Sequence, residues 1–325
     1  MNFYSELKHL LEQIPPGRVT TLSALAEALG DRSATVSLPS SLENLFSGCA
    51  AAVRAVKADG SFVLPRSQQV LAGEGVAVTG KRVENLENVF FDDFATSRPL
   101  RALRRSQKLR SHQVILRDGV RKPETMAGVD VSYDGDDAFA AAVVVKADTL
   151  EVMEEQVVRV RISFPYVPGY LAFREMPALL AAFSSLRIKP DVLLVDGHGI
   201  LHPARCGVAS YVGVELGMPT IGVGKSHLVG EVIGGELGIG EAAPVKFNGR
   251  IAGYALRSSK SKRPIYISPG NLITPKTALK IVRMACSHRI PEPIRQADAL
   301  ASDEKMKNKK IAESVPVSQN QIAPD

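Results

Sequence analysis

The 325-residue sequence predicts a two-part α/β protein, a mixed sheet with helices on its faces preceded by a small helical domain. Three observations carry this expectation. The length exceeds what a single hydrophobic core usually serves, which favours two domains. From Lys122 onward, β-rich apolar runs give way to alternating helix and strand patterns. Before about residue 97 the apolar residues recur at helical spacing between turn residues.

In chain order, FYSELKHLLEQI is a first helix and PPGRV a turn. TTLSALAEALG is a short amphipathic helix with Thr20 or Thr21 as N-cap and Gly30 as its stop. A capped helix after a turn, followed by a second helix, is what a winged helix-turn-helix-like domain needs. This domain is expected over residues 1–97. Residues 98–122 form a basic linker or the first helix of the next domain, residues 123–300 the second domain, and residues 301–325 a polar, disordered tail. In the second domain TMAGVDVSY, AFAAAVVVKA and LEVMEEQVVRVRI read as three strands joined by Asp- and Gly-containing turns. LAFREMPALLAAFSSL reads as a helix carrying Pro177, KPDVLLVDG as a buried strand, HPARCGVASYVGVELG as a helix and TIGVGKS as a strand. That order matches a ribonuclease H-like architecture, which by itself selects no chemistry.

Composition narrows the setting. No run approaches the roughly 18–20 apolar residues a membrane span needs, and the N-terminus alternates acid and base unlike a secretory signal. Cys49, Cys206 and Cys286 are widely spaced, fit a reducing compartment and make no metal-type pair. A cytoplasmic monomer without a membrane partner is expected. The net charge of +6 is uneven: RPLRALRRSQKLRSHQVILRDGVRK, from Arg98, contains a single acid, Asp118. Such a run is a footprint for a polyanion or, on composition alone, a solvated helix face.

Two acids stand out. A carboxylate among Val and Ala must be paired or coordinated. Asp130 lies between Val129 and Val131, and Asp196 ends VLLVD. Taken singly, Asp196 caps a loop and Asp130 pairs with an arginine. On neighbouring strands the two would converge at one sheet edge, with Glu175 facing the same point from the intervening helix. Converging carboxylates repel unless a hard cation holds them; oxygen ligands suit Mg²⁺ or Mn²⁺, and phosphodiester hydrolysis is the chemistry such sites serve. Between these acids lies ISFPYVPGYLAFREMP, with three prolines and two tyrosines, too stiff and too charged for a plain core segment.

Two family resemblances rest on quoted residues. GVDVSY, PYVPGYLAFRE, DVLLVDGHGILHPARCGVASYVG, TIGVGKS, YISPG and RIPEPIRQAD resemble endonuclease V in order and spacing, over roughly residues 100–300. The resemblance implies a Mg²⁺-dependent endonuclease (Mn²⁺ as a substitute) that recognises deoxyinosine in DNA and cuts the second phosphodiester bond 3′ to it. Inosine-containing RNA is the alternative polymer, and a decayed, non-catalytic nucleic-acid-binding protein the alternative class. It implies Asp130 and Asp196 as metal ligands, Glu175 as third catalytic carboxylate and Lys225 as active-site cation. Tyr166 and Pro168 belong to the implied wedge, where Tyr166 stacks on bases exposed by flipping. Gly169, Leu171 and Gly197 help form the base pocket and His202 contacts the phosphate backbone. Asn271, in SPGNLI, stands at the place of a family histidine; it can hydrogen-bond a phosphate but carries no proton charge. Separately, IPPGRVTTLSALAEALG resembles the DNA-binding part of alkylguanine-DNA alkyltransferases and alkyltransferase-like proteins, with Arg54 in AVRAV at the position of their base-replacing arginine. Arg66 falls where the acceptor cysteine should be and Leu22 where the base-rotating tyrosine should be, so no alkyl transfer is expected.

Overall fold

The structure, a computed structural model, describes residues 1–314. It divides into two compact units: Met1–His112 with Ile162–Arg174, and Gln113–Arg161 with the chain from Glu175. The division departs from the sequence expectation in two places. The basic segment is largely a helix of the first unit, and so is the short stretch around Pro165–Pro168, which sequence order assigns to the second domain. The expected disordered tail is also corrected: residues 301–314 continue the last helix. Its remainder, 315–325, lies outside the described residues.

The first unit opens with α1 (Phe3–Glu12), whose N-cap Asn2 accepts from the amides of Tyr4 and Ser5 while Phe3, Leu7, Leu10 and Leu11 are buried. β1 (Thr20–Thr21) leads into α2 (Leu22–Leu29), capped by the Thr21 side chain on Ala24 N and ended by Gly30 at φ 106°. That left-handed stop is the one Gly supplies without steric cost. α3 (Leu38–Leu45), β2 (Ala55–Val56, parallel to β1), α4 (Ser67–Gly73), the hairpin of β3 (Val78–Thr79) and β4 (Arg82–Val83), and α5 (Leu86–Val89) follow, then the basic helix α6 (Pro99–Gln113). Helix pair and hairpin are the parts a winged helix-turn-helix requires. One reading from the sequence is revised. Arg54 is no free finger: it is buried, donates to both Glu74 carboxylate oxygens and to Ile14 O, and so serves the fold. Arg66, exposed, donates to Ser47 O at 3.3 Å.

The second unit is a nine-stranded sheet. Its strands are β5 (Thr125–Asp134), β6 (Asp137–Lys146), β7 (Val152–Arg161), β8 (Val192–Asp196), β9 (Thr220–Gly224), β10 (Glu231–Val232), β11 (Ala242–Phe247), β12 (Arg250–Leu256) and β13 (Ile265–Asn271), in the order β10-β11-β12-β13-β9-β8-β5-β6-β7. Only β5, β8 and β9 are mutually parallel; the other pairings are antiparallel, the mixed sheet of a ribonuclease H-like fold. β8 is buried almost throughout, so it reads as a continuous apolar run. The helices are α7 (Leu171–Ser184), with Pro177 inside it, α8 (Val208–Leu216), α9 (Pro275–Ala285) and α10 (Glu292–Ser314). Ile294, Ala297 and Ala301 of α10 bury against Met126, Leu194 and Ile221 of the parallel strands. Among the described residues, no helix is long and apolar enough to cross a membrane.

Candidate active site

The site is set by strand register. β5 and β8 run parallel with Val129 opposite Val195, so the next residue of each strand, Asp130 and Asp196, emerges side by side. Neighbouring strands lie about 4.8 Å apart, too close for two carboxylates to be indifferent to one another. β8 and β9 pair Asp196 with Val223, and two residues beyond Val223 the Lys225 ammonium meets an Asp196 carboxylate oxygen. The Arg289 guanidinium fixes that turn by donating to the carbonyls of Lys225 (2.8 Å), Arg263 (3.1 Å) and Pro264 (3.3 Å).

A further carboxylate comes from α10. A Cβ at Gly128 would lie 2.1 Å from the Pro293 carbonyl carbon, so only glycine lets α10 sit this close to β5. From that contact, strand period two and helix period four keep step. Gly128, Asp130 and Ser132 on β5 meet the Pro293–Ile294 peptide, Asp298 and Ser302 on α10, with an Asp130–Asp298 hydrogen bond and a 3.0 Å Ser132–Ser302 hydroxyl contact. Burial, then the charge of Asp196 and the bond to Asp298, push the Asp130 carboxyl far above the usual range, against the pull of Lys225. Burial pulls the Lys225 ammonium down, but Asp196, Asp130 and Asp298 outweigh it and hold it above its ordinary value. Lys225 is cationic at neutral pH.

Sequence reasoning missed Asp298. A signal existed: Asp298 is four residues after Ile294 and beside the buried Ala297, where an unpaired acid would be costly. Glu175 lies on α7 and accepts from the Tyr133 hydroxyl at 3.3 Å, three residues beyond Asp130 on β5. The carboxylates found against Asp130 include Asp196 on β8 and Asp298 on α10. Among the described residues, no group of three or more His, Cys, Asp and Glu is arranged to hold a metal; the acids are held by Lys225 and by one another.

The remaining predicted residues separate into two sets. Tyr166, Pro168, Gly169 and Leu171 lie in or beside the turn of the first unit. Pro165 and Val167 are buried there while Tyr166 between them is 55% exposed. Arg174 Nη1 donates to Phe164 O at 2.8 Å and closes the turn from behind, one residue before Glu175. In the second unit Gly197 has φ 145°, and a Cβ there would strike the Val208 side chain at 2.3 Å. His198, next in sequence, is packed on Gly224 and kept neutral, its pKa pulled down to about 4 by burial. His202 is buried and its Nδ1 accepts from Ala204 N at 3.2 Å. Asn271 is corrected: it is 4% exposed, donates to Gly213 O (2.9 Å) and accepts from Ile115 N (3.0 Å). Both ends of its amide tie backbone segments together, which removes it from the candidates for a phosphate contact.

Residues 107–299 match the family model for endonuclease V. An endonuclease V of Roseiflexus sp. (strain RS-1) is 48% identical over 192 residues, 58% of this chain and 86% of that protein. One from Thermofilum pendens is 43% identical over 208 residues, 62% of this chain and 88% of the relative. Among solved structures, the catalytic domain of human endonuclease V superposes with a TM-score of 0.62 at 35% identity, covering 66% of this chain and 99% of that one. Ciona intestinalis endonuclease V, crystallised with a 24mer DNA containing an inosine followed by a ribo-adenosine, gives 0.59 at 29% identity over 64% of this chain and 98% of that one. The match covers more than half of the sequence and nearly all of each relative, with Asp130, Asp196, Lys225 and Asp298 inside it: the chain belongs to the endonuclease V family.

Proposed function

We propose that this chain is a repair endonuclease that recognises deaminated adenine, as deoxyinosine in DNA, and hydrolyses the second phosphodiester bond 3′ to it. The observation that carries the reading is the parallel register that brings Asp130 beside Asp196, with Lys225 on one acid and Asp298 on the other. The chemistry of the donors suits a hard divalent cation, since all three acids offer oxygen, although the described residues do not gather them as a ready ligand set; burial and then the charge of Asp196 raise the Asp130 carboxyl. Asp130 and Asp196 are the proposed ligands, joined by Asp298, with Mg²⁺ as the ion and Mn²⁺ as a substitute. When bound, such an ion supplies Lewis-acid activation of water and neutralises charge at the phosphate. Lys225 places a fixed cation where charge develops on the scissile phosphate. Glu175, anchored by Tyr133, orients the attacking water. Tyr166 enters the stack beside the extruded base, and Gly169, Leu171 and Gly197 are the further base-binding residues that the family resemblance implies. A cytoplasmic monomer is the corresponding setting, and the free cysteines fit it.

Matched DNA and RNA oligonucleotides carrying one inosine test the reading: a nick between the first and second nucleotides 3′ to the inosine is expected in DNA, and none in undamaged strands. No inosine-dependent cut in either polymer would reject it. The RNA reading has one observation in its favour, the ribo-adenosine that follows inosine in the strand bound by the Ciona protein. Preferential cutting of the RNA strand would select it. The first unit is proposed to accept no alkyl group, and labelled methyl transfer from O6-methylguanine DNA to the protein would contradict this.

A further inference from the structure

The part of the first unit before α6 is poorly equipped to add non-specific DNA affinity. Residues 1–97 carry eight Lys and Arg against eleven Asp and Glu, a formal net charge of −3. On α3, the helix after the turn, the exposed residues are Ser40, Glu43, Asn44 and Leu45, none of them basic. A segment of this charge gains little from counterion release; the basic residues of the unit lie on α6 instead.

What the unit does hold is the turn. Phe164, Val167 and Tyr170 are buried in one core with Phe3, Leu7 and Leu100, and the Phe3 and Phe164 rings meet at 5.4 Å. Phe3 N donates to Ser163 O at 3.0 Å. On the other side of the turn, Asp31 Oδ2 accepts from the Tyr170 hydroxyl at 2.6 Å and from Arg104 Nη2 at 2.9 Å. The same guanidinium lies 4.3 Å over the Tyr170 ring, and Gln107 Nε2 donates to Gly169 O at 3.3 Å. Asp31 lies far before the family-matched residues; the rigid element is therefore gripped in part by a side chain that the family's own part of the chain does not contain. A turn closed at its base by buried rings and a charge-assisted bond presents Tyr166 in one geometry, which lowers the cost of entering a stack.

We propose that Asp31 is a positioning residue for the Pro165–Pro168 turn, so that residues 1–97 contribute to base discrimination rather than to overall DNA affinity. The proposal rests on the reading of Tyr166 as the group that enters the duplex. The test uses full-length Asp31→Ala, Asp31→Asn, Tyr170→Phe and the Asp31→Ala/Tyr170→Phe double variant. The readout is the ratio of affinities for a duplex with one inosine and the same duplex with adenine. Asp31→Ala should lower that ratio about tenfold, with affinity for the adenine duplex and its salt slope unchanged. Asp31→Asn, which keeps an acceptor for the Tyr170 hydroxyl, should recover part of the ratio. The double variant should lose no more than Asp31→Ala alone, and hydrogen exchange of residues 164–173 should accelerate. Two controls separate the explanations. Glu74→Gln weakens the buried Arg54 pair elsewhere in the unit; if it lowers the ratio as far as Asp31→Ala does, general destabilisation is the cause and the proposal falls. Tyr166→Ala separates the two layers: if it lowers the ratio while Asp31→Ala and Tyr170→Phe leave it intact, the proposal is overturned and the wedge reading stands. If none of the three moves the ratio, the wedge reading fails and takes the proposal with it.

Discussion

Asp31 in the first unit and Asp130 in the second are both half-buried aspartates, but their surroundings are opposite in sign. Around Asp31 stand donors: the Tyr170 hydroxyl, the Ser33 amide at 2.9 Å and the Arg104 guanidinium. Burial pushes its carboxyl up, and these donors outweigh burial and hold it well below the usual carboxylate range. Around Asp130 stand Asp196 and Asp298, and burial and like charge act together. A carboxylate whose needs the fold already meets is a structural tie. One set by strand register against other acids, with a single lysine to answer them, retains capacity for a cation that arrives with the reaction.

The comparison breaks most visibly at Asp196. Asp196→Asn removes the acid that bridges Asp130 and Lys225 and should lower nicking of inosine DNA at least about a thousandfold, while binding of the same duplex persists. Near-normal turnover in Mg²⁺ would mean that the acids of the second unit are structural ties like Asp31. An intermediate effect is expected on α6, where adjacent arginines serve different ends. Arg105 is exposed, whereas Arg104 is committed to Asp31 and Tyr170. If Arg105 contacts a phosphate, Arg105→Ala should flatten the slope of log affinity against log salt by about 0.9. Arg104→Ala should leave the slope in place and lower the inosine-to-adenine affinity ratio. Equal slopes changes for both would erase the distinction drawn between them.

Much of the second unit was legible in the sequence because its signals are local. An aspartate inside VDV or at the end of VLLVD announces itself by the cost of burying it, and the parallel pairing only confirms that two such costs fall side by side. Asp298 was not legible in the same way. Its neighbours Arg295 and Gln296 are polar, and its importance depends on a helix packing on Gly128, a contact 165 or more residues away in the chain. Asn271 shows the converse: a position in a motif says nothing about which way an amide points, and here it points into the fold. Arg54 likewise matched a segment whose arginine acts at the surface, but Glu74, 20 residues on, captures it. The first unit's hold on the turn was least legible, since the Tyr170–Asp31 bond joins residues 139 apart and no periodicity records such a pairing.

The smallest effects concern stability, and there the two aspartate settings should give opposite signs. Asp298→Asn keeps a hydrogen-bonding side chain beside Asp130 and removes one potential negative charge, so in chelator the melting temperature should rise even as nicking is lost. Asp31→Asn keeps an acceptor and loses the charge that Arg104 and Tyr170 address. After discounting for solvent screening this amounts to about 1 kcal/mol, or about 2–4 °C for a unit of this size. The sign with pH follows from linkage. Because the folded Asp31 carboxyl titrates below its unfolded value of about 3.9, its contribution is fully present above that value and is lost as pH falls toward the folded pKa. The melting gap between wild type and Asp31→Asn should therefore be constant from pH 7 to about pH 5 and narrow below about pH 4. A gap that widened with acid would mean that Asp31 is already protonated in the folded protein. Its bond to Tyr170 would then be an ordinary neutral one, and the contrast with Asp130 would disappear.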